Sequence, residues 1–335
     1  MKEADFYRKL TGKKVRCVLC PRECEIPEGG KGFCRVRKNV DGKLYSLVYG
    51  RPCSIAVDPI EKKPLFHFAP GSECVSIATV GCNLACRFCQ NWQISQEFRE
   101  VSSEEVPVER LISLAKEQGA GGFAYTYTEP TVFFEYAFEV MKAAKKEGFY
   151  NVWVSNGYTS PEVIRKMSKY LDAVNVDIKG NDQFYRKVSM ASKGIEPVFE
   201  ALKEYKKNRI WIEVTNLIIP MYNDSKEEIG KLVKWIRSNL GKNTPVHFSA
   251  FYPDYKLTDA PPTPGNSVET AVKIAKRMGM KWVYAGNLRS ENESTTCPKC
   301  GTIIIRRTGF TVISYNDKCP KCGTKAEIKG KKWIK

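Results

Sequence analysis

The sequence predicts an α/β fold: an incomplete parallel (β/α) barrel of about six units, preceded by an N-terminal Cys-rich module and followed by a C-terminal zinc ribbon. Three observations carry this expectation. Between residues 75 and 285, short β-branched or aromatic runs alternate with helix-length amphipathic segments. No G-x-G-x-x-G follows the first run, which disfavours a doubly wound dinucleotide-binding sheet. Most of the 13 cysteines gather in three groups, at the start of the chain, just after the first barrel strand, and near the end.

The opening 40 residues hold Cys17, Cys20, Cys24 and Cys34, and residues 43–68, punctuated by Pro and Gly, read as hairpins or loops leading into the main domain. Strands are then expected at 75–80, 122–127, 152–155, 173–178, 210–219, 245–251 and 282–285. Helices are expected between them at 103–118, 131–147, 160–170, 194–206, 225–239 and 267–278. The strands are almost continuously apolar, as in a parallel sheet covered by helices. Ser160-Pro161 supplies an N-cap and an N1 proline, residues 224–228 place acids in a first turn, and Gly119, Gly148 and Gly279 stand where helices should stop. The expected modules are residues 1–72, 73–290 and 291–335. Chemistry should gather where strands end, and the residues there are polar: Cys82, Thr128 and Glu129, Asn156, Asp177 with Lys179, and Tyr252.

With 42% hydrophobic and 27% charged residues, the composition excludes a disordered or collagen-like chain. The longest apolar runs fall far short of a bilayer span, and the charged N-terminus lacks a hydrophobic signal region, so a soluble cytoplasmic protein with no membrane association is expected. The net charge of +17 rides on the two ends: residues 1–40 carry 11 Lys and Arg against 5 acids, and residues 297–335 carry 10 against 2. Such ends could face nucleic acid or an acidic protein. No RNA- or DNA-binding motif accompanies them, so a solvated lysine-rich surface is the plainer reading and nucleic acid is not the expected partner.

Thirteen cysteines without a secretion signal point to metal rather than to disulfides. Cys297-Pro-Lys-Cys300-Gly and Cys319-Pro-Lys-Cys322-Gly are two knuckles that would close a four-sulfur tetrahedron, a zinc site whose geometry iron would share. Cys17, Cys20, Cys24 and Cys34 suit either zinc or a second iron-sulfur cluster, and their spacing fits neither exclusively. Cys82-x3-Cys86-x2-Cys89 differs from both, because three thiolates on one loop leave a tetrahedral ion short of a ligand. They can bind three irons of a [4Fe-4S] cluster and leave the fourth open to another ligand. Cys53 and Cys74 stand apart, and Cys74 is expected to be buried. With only His67 and His247 present, most familiar acid-base schemes are excluded, and His247, inside a strand, reads as a core imidazole.

The run from Gly81 to Asn91, with its C-x3-C-x-F-C pattern after a barrel strand, resembles the radical S-adenosylmethionine (radical SAM) superfamily, in its activase-like branch. The resemblance implies that S-adenosylmethionine chelates the open iron of a [4Fe-4S] cluster. An electron from the cluster then cleaves the sulfonium to methionine and a 5′-deoxyadenosyl radical, which abstracts hydrogen from a substrate. Tyr125 to Pro130 resembles the superfamily's Gly-Gly-Glu element, so Glu129 is expected to meet the methionyl ammonium, with Tyr127 and Thr128 standing in place of the glycines. Asp177-Ile178-Lys179 resembles the Asp-x-Lys element of pyruvate formate-lyase activating enzymes and would engage the zwitterion. Asn156 would reach ribose or carboxylate, Phe88 the adenine, and Tyr252 would occupy a position where related activases place a histidine.

Over nearly the whole length, including residues 17–37, 58–68 and 251–255 and the terminal ribbon, the order of parts resembles the AmmeMemoRadiSam system radical SAM enzymes. That resemblance implies a one-electron donor of ferredoxin or flavodoxin type and a Memo-like or AMMECR-like protein partner. It leaves the substrate open between a glycyl-radical protein, another protein and a metabolite. The competing class is a non-catalytic metal-binding module that grips nucleic acid or an acidic protein with its basic ends.

Overall fold

The computed structural model describes residues 1–334; Lys335, the last residue of the expected 291–335 module, lies outside the described residues. An eight-stranded sheet forms the centre: β1 (Ser54–Pro59), β2 (Glu73–Ala78), β3 (Gly122–Tyr125), β4 (Tyr150–Ser155), β5 (Ala173–Asp177), β6 (Trp211–Ile218), β7 (Val246–Ala250) and β8 (Val283–Gly286). Its spatial order follows the chain, β1 and β8 lie at its two ends, and every neighbouring pair from β2 to β8 is parallel. Each parallel step is bridged by a helix, because parallel neighbours need a crossover long enough to return the chain. These helices are Val108–Glu117, Phe134–Lys146, Pro161–Met167, Glu196–Lys207, Lys226–Asn239 and Gly265–Arg277.

Several details depart from expectation for local reasons. β1 pairs antiparallel with β2, so a segment expected to lie in a module ending at residue 72 is the edge of the central sheet. The first crossover helix starts at Val108 and not near residue 103, because Pro107 biases Val106 to extended backbone. Ser225 caps its helix by accepting from the Glu228 amide at 3.1 Å. The Ser160 hydroxyl makes no such bond, and Pro161 at the first helical position starts that helix instead. An unexpected helix, Asp182–Lys187, opens with Asn181 accepting from the Phe184 amide at 2.9 Å.

Two small antiparallel sheets make up the first 46 residues, one from Lys2–Glu3, Lys43–Ser46 and Arg37–Val40, the other from Tyr7–Lys9, Val15–Cys17 and Glu25–Ile26. Their apolar residues Val15, Ile26, Val36 and Leu44 join the core that fills the central domain. Arg37 and Glu135 form an ion pair with side chains 2% exposed each, which ties this module to the Phe134–Lys146 helix. The C-terminal module is a three-stranded antiparallel sheet of Thr295–Thr296, Ile303–Thr308 and Thr311–Tyr315. It packs Ile304, Ile305 and Ile328 around Phe66, Trp282 and Tyr284 of the central domain. Among the described residues, no helix is long and apolar enough to cross a membrane.

Candidate active site

A cavity of about 550 Å³ opens at the C-terminal ends of the parallel strands. Its wall takes residues from successive strand ends: Cys82, Cys86 and Cys89 after β2, residues 126–129 after β3, Ser155 and Asn156 at β4, Asp177 and Lys179 at β5, Thr215 and Leu217 on β6, and Ser249 on β7. This is where strand-helix folds build sites, since loops and strand ends vary there while the sheet beneath stays rigid.

The cysteine loop is cradled by the helix that sequence periodicity did not show. The Ala85 amide donates to the Ser189 carbonyl at 3.1 Å and the Arg87 amide to the Val188 carbonyl at 3.0 Å, both just past Asp182–Lys187. Asn83 Nδ2 donates to the Tyr158 carbonyl at 2.7 Å, and Gln96 Nε2 to the Leu84 carbonyl at 2.9 Å. The Cys82 sulfur receives the Leu84 amide at 3.4 Å and Asn156 Nδ2 at 3.7 Å, and Cys89 Sγ meets Ser95 Oγ at 3.2 Å. Burial pushes the Cys82 thiol well above its ordinary range and the Cys86 thiol up to about 11. A cluster that binds here must therefore displace protons. The trio does not contract to single-ion spacing: among the described residues, the three or more ligand atoms that all lie within 4.8 Å of one another are those of the C-terminal cysteines. Three thiols on one loop, facing one cavity and held apart, fit three corners of a cubane.

Glu129 is 2% exposed and belongs to a hydrogen-bond knot at the cavity wall. Its Oε1 accepts from the Thr131 amide at 3.1 Å, Thr131 Oγ1 at 2.6 Å and Ser155 Oγ at 3.0 Å, while Oε2 accepts from the Asn156 amide at 2.8 Å. Burial raises its carboxyl above the ordinary range, against the pull of those donors. The residue thus welds the ends of β3 and β4 together, and Oε2 keeps acceptor capacity toward a cation. Asn156 also spans to Asn83 Oδ1 at 2.9 Å, which links the second strand end to the cysteine loop.

Asp177 and Lys179 project to the same side, as period-two alternation requires, and pair at 2.8 Å. Burial would lower the Lys179 ammonium, but Asp177 and the Cys86 sulfur outweigh it and raise it. Phe88 packs against Phe184 with centroids 5.6 Å apart and faces the same cavity.

Tyr127 holds φ = 63°, the left-handed conformation that glycine takes freely and other residues take at a cost of about 1–2 kcal/mol. Its neighbours account for its persistence. Asn91 Nδ2 donates to its carbonyl at 2.8 Å, its hydroxyl donates to Asp58, and the Lys63 ammonium lies 4.5 Å from its ring centre. Thr128 Oγ1 donates to the Thr79 carbonyl at 2.8 Å.

Tyr252 does not belong to this wall. It is 48% exposed, and its hydroxyl donates to the Asn287 carbonyl at 3.4 Å. It lies two residues past the end of β7, whose Ser249 lines the cavity. The Thr263 segment then fastens to Phe251, its amide donating to the Phe251 carbonyl at 2.9 Å and its hydroxyl accepting from the Phe251 amide at 2.9 Å.

Residues 58–68 contribute a part that sequence reading matched without assigning a role. Asp58 accepts from Lys62 Nζ and Lys63 Nζ, each at 2.8 Å, and both lysines line the cavity. Burial would raise the Asp58 carboxyl, yet hydrogen bonds from Lys62, Lys63 and Tyr127 hold it below its ordinary range. The adjacent-lysine run of this segment was the available signal. His247 is a core imidazole, as expected, with Nε2 2.8 Å from Glu213 Oε2. Cys74 is fully buried on β2.

At the C-terminal cysteines, Sγ–Sγ distances of 3.4–3.5 Å join Cys300 to Cys319 and Cys322, and Cys297 to Cys322. Hydrogen bonds from Thr302 draw the partly exposed Cys300 thiol down to about 6.

Residues 76–236 match the Radical SAM superfamily. An uncharacterized protein of Methanocaldococcus jannaschii is 48% identical over 92% of either chain. The pyruvate formate-lyase-activating enzyme of Clostridium pasteurianum is 26% identical, over 53% of this chain and 80% of its own. A radical SAM methyltransferase from Sphaerobacter thermophilus shares the fold with a TM-score of 0.51 at 15% identity, covering 68% of this chain and 69% of its own. The chain belongs to the radical SAM superfamily. Membership implies a [4Fe-4S] cluster and S-adenosylmethionine, and the cysteine trio at the mouth of the strand ends fits that requirement.

Proposed function

We propose that this protein is a radical SAM enzyme of activase type, with Cys82, Cys86 and Cys89 as the cluster ligands. The observation that carries this reading is the convergence of that trio with Glu129, Asn156, Asp177 and Lys179 on one cavity at the strand ends. When bound, the cluster and S-adenosylmethionine supply the electron and the 5′-deoxyadenosyl radical that takes a hydrogen atom from substrate.

The chain's own residues prepare that event. Glu129 Oε2, fixed by the Asn156 amide, offers an acceptor to the methionyl ammonium. Lys179, held charged by Asp177, offers a donor to its carboxylate. Asn156 orients against the Cys82 sulfur, Phe88 supplies an apolar wall for adenine, and the Tyr127 and Thr128 backbone frames the methionyl end. Lys62 and Lys63 add positive charge to the cavity, which suits a substrate bearing a carboxylate or phosphate. The four C-terminal cysteines are spaced for a single tetrahedral ion, read here as structural zinc.

The likeness to an activating enzyme favours a protein substrate, including a glycyl-radical protein as a second reading. The resemblance of residues 17–37, 58–68 and 251–255 to AmmeMemoRadiSam enzymes extends the proposal to a Memo-like or AMMECR-like partner and a ferredoxin- or flavodoxin-type donor. Reduced protein incubated with S-adenosylmethionine should release 5′-deoxyadenosine, and Cys86→Ala should abolish the release. Undiminished release by Cys86→Ala would remove the trio from the site.

A further inference from the structure

The four N-terminal cysteines have no role in the site described above, yet they converge. Cys17, Cys20, Cys24 and Cys34 line one pocket together with Arg22 and Asn83. Its free space of about 20 Å³ exceeds the 10–15 Å³ that one water needs. A single tetrahedral ion with metal-sulfur bonds of about 2.3 Å draws its thiolates to about 3.8 Å from one another, leaving no such gap. The C-terminal set shows that spacing, with sulfurs 3.4–3.5 Å apart. Among the described residues, the N-terminal set does not reach mutual spacing within 4.8 Å, and neither does the Cys82, Cys86 and Cys89 trio. One chain therefore contains tight and wide thiol sets, and the N-terminal cysteines fall with the wide ones. Thiolates spread in this way when each bonds a different iron.

The pocket also adjoins the radical loop. Gly81 has φ = 99°, and a Cβ on it would lie 2.9 Å from the Cys34 carbonyl and 2.8 Å from Val36. Asn83, next to Cys82, lines the pocket and receives the Arg22 guanidinium on its backbone carbonyl. Two residues flanking a ligand of the central site are thus packed against the N-terminal site.

We infer that Cys17, Cys20, Cys24 and Cys34 hold an iron-sulfur cluster, not a zinc ion, seated directly behind the loop that carries Cys82. The inference uses the central trio as its internal comparison, and so the test separates the two sites. Acid-labile sulfide, which zinc does not bring, is measured with zinc on full-length protein purified without oxygen and reconstituted with ferrous iron and sulfide. Wild type should carry about eight sulfides per chain and the Cys82→Ala/Cys86→Ala/Cys89→Ala variant about four. Reduction of that variant should give an EPR signal indifferent to S-adenosylmethionine. Absence of sulfide in the triple variant, beside a wild type that carries about four, would overturn the inference and leave the radical site intact. Should the triple variant not fold, Cys20→Ser/Cys24→Ser answers the same question. A fall from about eight sulfides to about four supports a second cluster, and an unchanged content of about four overturns it.

Discussion

The two flanking cysteine modules are built from the same residue in similar numbers, and they differ in what surrounds the sulfur. The C-terminal four lie close together on turns at the rim of a small sheet, with Cys300 and Cys322 partly exposed. The N-terminal four lie around a pocket whose apolar walls belong to the main core, and their loop touches the radical loop. The first arrangement suits an ion that holds a small domain together, because a peripheral module with little core of its own gains most from a crosslink. The second ties the loop that carries Cys82 to the rigid core. Environment, rather than ligand type, separates the two.

The largest expected effect lies at the anchor of the N-terminal module. Glu135→Ala leaves Arg37 charged and without its carboxylate in a fully buried setting, and it should cost about 3–5 kcal/mol in denaturant unfolding. A loss below about 1 kcal/mol would mean that the module is held by apolar packing alone.

The next effect should appear on the C-terminal side and depend on pH. His67 sits in the seam with Nε2 2.5 Å from the Tyr284 hydroxyl, Nδ1 3.1 Å from the Glu327 carbonyl, and its amide on Glu213, with Arg307 and His247 nearby. Burial lowers the imidazole to about 4 against an ordinary value of 6.5. The folded state thus keeps His67 neutral where the unfolded chain would protonate it. Its contribution is complete above about pH 6.5 and is lost as pH falls toward 4, by about 3 kcal/mol. Equilibrium unfolding across that window should show the loss, and His67→Gln should flatten the slope; an unflattened slope would assign it to other groups.

The finest distinction comes from a matched pair of glycines. Gly81→Ala must place a methyl against Cys34 and Val36 at φ = 99°, and should cost about 2–4 kcal/mol. Gly323→Ala, at φ = 69° with nothing within 4 Å, should cost only the conformational penalty of about 1 kcal/mol. Equal melting shifts for the two would deny that the N-terminal module presses on the radical loop.

Much of this was legible in the chain. Alternating apolar runs and amphipathic segments marked seven parallel strands and the six main crossover helices, because burial on both faces of a parallel sheet favours apolar residues at most positions. Cysteine spacing separated the three thiol groups, since ligands on one loop must be near in sequence. The helix at Asp182–Lys187 was not legible, being too short to show a period, although it carries the cysteine loop. Neither was the pairing of Asp58 with Lys63 and Tyr127, which joins residues up to 69 apart.

Local order therefore follows from the amino acids, where the cause is a pattern of burial or the reach of a loop: the strand-helix repeat, the cysteine loop, the acidic and basic strand ends. Folding in three dimensions settled the rest. It ringed Glu129 Oε1 with donors, turned Tyr252 outward, put Lys62 and Lys63 into the cavity, and drew one set of thiols together while holding two apart. Each of those outcomes depends on residues remote in the chain becoming neighbours, and their energies exist only after the core has closed around them.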